Sequence, residues 1–249
     1  MKKVGIIAGA TGGVGGSLSR ELAKQGDDLV LFGKDELQLE EIKNEIQCMV
    51  KNIEIITEII NFEKPVEEEV KNKFSKIFDK FGRIDYLVNC IGLCVWYPIE
   101  EMPLTLWNNI ISINLTSTYL LNKYAVIYMK KQKKGTIINI SSTAGKKGAP
   151  YSSAYCASKF GVIGISYSLA EEVAKYGIKI IVLVPSDIKT DFVKKGISQS
   201  SAIVKEYAKK KYLGRNGMRS ESIAKYVISL LDLPDDILIK ETIMKSGGK

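Results

Sequence analysis

The chain has 249 residues, 45% hydrophobic and 26% charged, with a formal net charge of +8 at pH 7. That length and balance describe one soluble globular domain, large enough to bury roughly three-quarters of its unfolded surface. Histidine is absent, which removes Ser-His-Asp and Cys-His mechanisms and most catalytic zinc sites, and leaves Tyr, Lys, Asp, Glu or Cys as any proton shuttle.

Residues 4–8 form a short apolar strand, followed by Gly9-Ala10-Thr11-Gly12-Gly13-Val14-Gly15-Gly16 and a helical pattern through Lys24. A glycine-rich turn between strand and helix lets the backbone approach a pyrophosphate, which the helix N-terminus then stabilises. A second strand over 28–32 ends at Gly33 and Lys34, and a helix over 35–48 buries Leu37, Ile42 and Ile46. A third strand over 53–60 runs into Asn61 and Phe62, and an amphipathic helix over 65–81 opens with Pro65 and an acidic first turn. A fourth strand over 86–89 leads into Asn89-Cys90-Ile91-Gly92. A long helical region over 103–131 carries Asn114 in an apolar neighbourhood. A fifth strand over 136–140 exits into Ser141-Ser142 and a small polar loop, and a helix then carries Tyr155 and Lys159 and continues to Tyr176. A sixth strand over 179–184 ends in Pro185-Ser186-Asp187-Ile188-Lys189-Thr190. Helical segments over 192–212 and 220–231 and a seventh strand over 241–245 complete the pattern. Strands alternating with helices predict a single doubly wound parallel sheet with helices on both faces.

Tyr155 and Lys159 stand at i and i+4 and share a helix face. A free phenol has a pKa near ~10; a fixed ammonium beside it favours the phenolate, the tuning that acid–base catalysis needs. The spacing alone is common in a lysine-rich chain: Tyr119/Lys123 and Tyr207/Lys211 share it. The Tyr155/Lys159 pair differs in its setting, following a β-branched strand that ends in Ser-Ser, with Ser142 thirteen residues before the tyrosine.

This stretch resembles the active-site segment of the short-chain dehydrogenases/reductases, with Ser142, Tyr155 and Lys159 on their Ser…Tyr-x-x-x-Lys pattern. The likeness extends over nearly the whole chain and toward the 3-oxoacyl-carrier-protein reductases of that family. Gly9, Gly13 and Gly15 fall on the glycine motif, with Ala8 where Thr is usual; Asn89 and Gly92 fall on Asn-Asn-Ala-Gly; Pro185 and Thr190 fall on Pro-Gly…Thr, with Ser186 replacing Gly. The resemblance implies a Rossmann-type fold and a nicotinamide cofactor held by Gly9, Thr11, Gly12, Gly13, Val14, Gly15, Gly33, Lys34, Asn61, Phe62, Asn89, Gly92, Tyr155, Lys159, Pro185, Ile188 and Thr190. Asn61 stands where an acidic residue usually meets the adenine. Asn114 becomes the fourth member of the catalytic set, disturbing its helix and holding a water that relays protons to Lys159; a helix-face asparagine satisfied by a neighbouring carbonyl is the alternative. Residues 186–215 would form a substrate flap, and the two long helices around Asn114 and Tyr155 a homotetramer interface.

NAD-specific relatives place a carboxylate at the end of the second strand. Here Gly33 and Lys34 stand there, so NADP is expected over NAD, through an ammonium that attracts the 2′-phosphate, with Asp35 opposing it. The expected reaction is reduction of a ketone or a 3-oxoacyl thioester on a carrier protein or CoA. An NAD-linked alcohol or steroid-type dehydrogenase, and a non-catalytic nicotinamide sensor, are the alternatives. The pocket, over 93–97, 149–151 and 186–193, is mostly apolar. Cys48, Cys90, Cys94 and Cys156 lack C-x-x-C spacing, so neither metal nor disulfides are expected; Cys90 and Cys94 are expected to pack. The lysines are scattered without aromatic interleaving, so no nucleic-acid partner is expected. No leader is expected before the first strand, and no apolar run reaches the ~18 residues of a spanning helix; a cytoplasmic protein with no membrane partner is expected.

Overall fold

The computed structural model describes residues 2–247. Its centre is a seven-stranded parallel sheet in the order β3-β2-β1-β4-β5-β6-β9, with β1 Val4–Ala8, β2 Asp28–Gly33, β3 Ile55–Ile59, β4 Tyr86–Asn89, β5 Gly135–Ile140, β6 Ile178–Pro185 and β9 Glu241–Met244. Parallel neighbours require crossovers, which the helices supply. Because side chains alternate along a strand, β1 feeds two cores. Ile6 and Ala8 join Val70, Phe74 and Ile77 of α3 (Glu67–Phe81), the buried side of α5 (Ser117–Gln132) and the end of α6 (Ser153–Val173). Ile7 joins the opposite layer, made by α1 (Gly13–Lys24), α2 (Glu36–Met49) and α9 (Ser220–Leu231).

Local chemistry sets several ends. The Asp35 carboxylate caps α2 by accepting the Gln38 N–H at 3.0 Å. Glu67, Glu68 and Glu69 occupy the first turn of α3, which stops at Gly82 with φ 68°. The outward reversal of strand order lies between β1 and β4, and the crevice beyond their carboxyl ends is where such sheets take ligands.

The helix expected over 103–131 is not continuous. It comprises α4 (Leu104–Ile111), one π turn (Ser112–Thr116) and α5. The widened turn surrounds Asn114, whose side chain leaves the helix to bond another segment; π turns of this kind concentrate at functional sites. The expected strand over 53–60 shortens to Ile55–Ile59, and Leu37, expected on the buried stripe of α2, is 77% exposed while Leu39 takes its place. The segment 192–212 divides into α7 (Phe192–Ser198) and α8 (Ala202–Tyr212). A small parallel pair was not foreseen: β7 (Ile188–Lys189) lies beside β8 (Met218–Arg219), tying the loop after β6 to the entrance of α9. No helix among the described residues is long and apolar enough to cross a membrane.

Candidate active site

The glycine turn after β1 is built for close backbone approach. Gly9 has φ +81°, and a Cβ there would come within 3.1 Å of the Cys90 carbonyl. Its N–H and that of Ala10 donate to the Phe32 carbonyl at 2.9 and 3.1 Å. A Cβ on Gly15 would overlap the Gly9 carbonyl, and one on Gly13 would overlap the Thr190 methyl. Gly12 caps α1 without a side-chain hydrogen bond, so the first-turn amides face outward with no side chain competing for them. This cradle fits the pyrophosphate of a dinucleotide. It gathers Gly9, Thr11, Gly12, Gly13, Val14 and Gly15 at the crevice and brings Thr190 over them.

Other sequence candidates have structural tasks of their own. A Cβ on the buried Gly33 would press on Leu39 at 3.0 Å, so helix packing already accounts for that glycine. The Lys34 ammonium projects into solvent, 3.3 Å from Glu63. The Asn61 Oδ1 accepts the Glu63 and Lys64 N–H groups at 3.0 and 3.3 Å in a local turn, while Phe62 is buried and its carbonyl accepts the Ser117 hydroxyl at 3.2 Å. Asn89 donates to Asn122 at 2.9 Å and to Asn139 at 2.7 Å, and Asn139 donates to Ser166 at 2.9 Å. This buried amide chain joins β4 and β5 to α5 and α6. Asn122, Asn139 and Ser166 were not singled out from the sequence, although a polar residue inside the apolar run Thr136-Ile137-Ile138-Asn139-Ile140 was a visible signal. Gly92 lies against Phe192 and Lys159; a Cβ there would be 3.4 and 3.6 Å away.

Tyr155, Lys159, Ser142 and Asn114 converge on one region. Lys159 is 3% exposed, and its Nζ donates to the Ile140 carbonyl at 2.9 Å and the Ile91 carbonyl at 3.3 Å. The Ser141 hydroxyl holds the Lys159 carbonyl at 2.9 Å. Ser142 caps the short turn Thr143–Gly145 by accepting the Ala144 N–H at 3.1 Å. Asn114 is wholly buried: its Oδ1 accepts the Leu93 N–H at 2.7 Å, and its Nδ2 donates at 2.9 Å to both the Leu93 carbonyl and the Ser158 hydroxyl. Ser158 in turn donates to the Tyr155 carbonyl at 2.8 Å. The amide is therefore a staple between the pocket wall and the tyrosine's helix turn. Ser158 escaped notice because nothing in its spacing marks it.

The electrostatics depart from expectation. Burial pushes the Tyr155 phenol well above its ordinary range, against a downward pull from its Ser142 hydrogen bond. Burial likewise lowers Lys159, to about 8. The ammonium sits 5.9 Å from the phenol ring centre and is committed to two carbonyls, so desolvation outweighs its attraction for a phenolate. Burial also raises Cys90, to about 12, and raises Cys94; both stay protonated and pack.

Beyond Tyr155, Phe192 of α7 lies with its ring centroid 6.2 Å from the phenol ring, and Cys94, Trp96, Ile197, Val204 and Ala208 form a satellite core with them. Pro185 closes β6, Ile188 sits in the small sheet, and the Thr190 hydroxyl accepts the Phe192 N–H at 3.3 Å. Tyr151 adopts φ 62°, and its carbonyl receives the Tyr97 N–H at 2.8 Å.

A parallel doubly wound sheet with a glycine cradle beside a half-buried Tyr155 and a buried Lys159 defines a dinucleotide-binding oxidoreductase scaffold. Residues 3–201 match the family model described as short chain dehydrogenase. The chain is 34% identical over 247 residues to the 3-oxoacyl-[acyl-carrier-protein] reductase FabG of Rickettsia felis, covering 99% of this chain and 96% of that one. It is 34% identical over 200 residues to the D-beta-hydroxybutyrate dehydrogenase of Rhizobium meliloti, covering 79% and 76%. Among solved structures, ElxO with NADP bound superposes with a TM-score of 0.84 at 29% identity, covering 99% and 98%. The chain belongs to the short-chain dehydrogenase/reductase family of oxidoreductases.

Proposed function

We propose that this protein is an NADP(H)-dependent reductase of a ketone or 3-oxoacyl thioester, with Tyr155 as the general acid. The observation that carries the reading is the convergence of Tyr155, Lys159 and Ser142 beside the glycine cradle. The full-length likeness to a 3-oxoacyl reductase supports the substrate class, with the acyl group carried on CoA or a carrier protein in the cytoplasm. NADP is favoured by Lys34 and by the lack of a carboxylate at Gly33; ElxO, of the same fold, takes NADP.

When bound, the reduced nicotinamide supplies the hydride to the carbonyl carbon. The Tyr155 hydroxyl delivers a proton to the carbonyl oxygen, and Ser142 orients that oxygen by hydrogen bonding. The Lys159 ammonium, turned from the Ile140 and Ile91 carbonyls, would steady the phenolate left behind and would hold the ribose hydroxyls of the cofactor. Asn114 acts by position: its amide is spent on Leu93 and Ser158, so the proton relay expected of it would have to run through backbone atoms. Pro185, Ile188 and Thr190 would hold the nicotinamide side of the cofactor, and the segment 186–215 would cover the substrate. The likeness to a hydroxybutyrate dehydrogenase favours a second reading, NAD-linked oxidation of a hydroxy acid.

The deciding experiment is NADPH oxidation with activated ketones and a 3-oxoacyl thioester in wild type and Tyr155→Phe. Turnover should vanish in the variant while NADPH affinity stays within about twofold, since only the phenolic oxygen is lost. Residual activity above about a tenth of wild type would remove Tyr155 as the principal acid, that loss being smaller than the ~10²–10⁴-fold such a group supplies. Exposed Tyr119 and Ile127 on α5 and Phe160 and Tyr167 on α6 support a homotetramer built on those helices; a monomer at micromolar concentration by light scattering would refute it.

A further inference from the structure

The end of β4 joins the glycine cradle to the Tyr155/Lys159 pair, and an aromatic side chain of α7 lies across that junction. A Cβ on Gly9 would be 3.1 Å from the Cys90 carbonyl, so the glycine turn abuts Cys90. Two residues further on, a Cβ on Gly92 would be 3.6 Å from the Lys159 ammonium. Gly92 thus stands between cradle and catalytic pair, and with no side chain of its own it leaves room there. Phe192 takes up that room. The same Cβ on Gly92 would meet Phe192 Cε2 at 3.4 Å and Cζ at 3.6 Å, and the ring centroid is 6.2 Å from that of Tyr155. Thr190 lies over the cradle itself, its methyl where a Cβ on Gly13 would be.

A hydride donor has to come within ~3–3.5 Å of the carbonyl carbon while Tyr155 hydrogen-bonds the carbonyl oxygen. The nicotinamide end of a dinucleotide anchored at the cradle must therefore pass over Gly92, where the Phe192 ring is. The adenosine side has space: a cavity of about 550 Å³ opens beside Thr11, Gly12 and Gly13, between α1 and α2. We propose that Phe192 is an intramolecular gate on the nicotinamide half of the cofactor site, displaced by a dinucleotide that binds first through its adenosine end. This inference rests on the proposed nicotinamide chemistry at Tyr155. The flanks of the gate are fixed and its middle is lightly held. On one side Ile188 and Lys189 pair with Met218 and Arg219; on the other, Gly196 packs so closely that a Cβ would overlap the Cys94 carbonyl. Between these anchors α7 begins at Asp191 without a side-chain cap, and the Phe192 N–H donates to the Thr190 hydroxyl over 3.3 Å. The ring is only half-buried, so it can swing out without unfolding the flap. A ligand whose competent state is populated in part binds more weakly by that fraction, so the gate sets cofactor affinity.

Calorimetry on the full chain measures the dissociation constants of NADP⁺ and of 2′,5′-ADP, which has the adenosine end and no nicotinamide, in wild type and Phe192→Ala. NADP⁺ should bind roughly 3- to 10-fold tighter to the variant, the range of one released aromatic contact. Affinity for 2′,5′-ADP should change less than about twofold, its contacts being separate from the ring. Weaker NADP⁺ binding would make Phe192 a platform for the nicotinamide and overturn the gate. Equal tightening of both ligands would mean a general loosening of the cleft, and no change in either would mean that the ring obstructs nothing; each result also overturns it. Should Phe192→Ala fail to fold, by circular dichroism and urea unfolding, Phe192→Leu keeps an apolar side chain on α7 and removes the ring tip that meets Gly92; the same outcomes apply. Tightening confined to NADP⁺ in a protein that reduces no carbonyl compound leaves the gate standing and defeats the reductase reading. A protein that reduces ketones, with NADP⁺ no tighter in either variant, defeats the gate and leaves the reductase reading intact.

Discussion

Asn114→Ala should be among the most damaging single substitutions in this chain, although the residue need never touch substrate. It deletes three hydrogen bonds of 2.7, 2.9 and 2.9 Å and strands the Leu93 N–H, the Leu93 carbonyl and the Ser158 hydroxyl. A buried polar group left unpaired costs about 1–3 kcal/mol. Leu93 is half-buried, so water recovers part of its share; Ser158 is fully buried and keeps its bond to Tyr155. The sum is about 3–5 kcal/mol, a large part of the ~5–15 kcal/mol that holds a domain together. Urea unfolding at fixed protein concentration measures it, with an unchanged slope as the control for two-state behaviour. Because Leu93 leads directly to Cys94 and Trp96, kcat should fall as well, by roughly 10²-fold for a displacement of about 1 Å. A loss of stability below about 1 kcal/mol would refute the staple, since it would mean that these bonds are replaced by water at no cost.

The remaining expectations concern charge. Lys159, lowered to about 8, should lose its ammonium as pH rises through that value, so NADPH affinity should weaken above it; Lys159→Met should abolish this limb, and a limb that persists would assign it elsewhere. The same shift fixes a stability trend: between about 8 and the free-lysine value of ~10.4 the unfolded chain holds more protons, so stability rises with pH relative to Lys159→Met, and urea midpoints across that window test the sign. Lys34→Ala should weaken NADPH relative to NADH by only a few-fold, because this ammonium is exposed and exposed pairs are worth about 0.2–1 kcal/mol. Glu63→Gln should shift the ratio the other way, and an unchanged ratio in both variants would remove Lys34 from the cofactor site.

The strand–helix alternation was legible because buried parallel strands read as apolar runs and their helices as 3.6-residue stripes. The glycine cradle was legible for a related reason: at Gly9 and Gly15 the backbone forbids a side chain, and the prohibition shows as a letter. Asn114 was visible as a polar residue among apolar ones, but its bonds were not, since Leu93 lies 21 residues away in sequence and no spacing rule links a loop to a helix. The pairing of β7 with β8 was hidden for the same reason; two-residue strands carry no periodicity. The charge states were misjudged most. Spacing placed Lys159 beside Tyr155 correctly, yet the Ile91 and Ile140 carbonyls that take up its ammonium depend on the sheet, and burial depends on the whole fold.

That misjudgement bears on direction. A tyrosine must be protonated to donate to a carbonyl oxygen and ionised to accept a proton from an alcohol. The protein groups around Tyr155 favour the first state: desolvation dominates, and the Ser142 hydrogen bond acts against it for the phenolate. Hydroxy-acid oxidation would need the opposite balance, with the Lys159 ammonium turned from the Ile140 carbonyl toward the phenol. The resting geometry spends that ammonium on backbone carbonyls instead. At neutral pH the phenol therefore stays protonated, the form that can donate to a carbonyl oxygen.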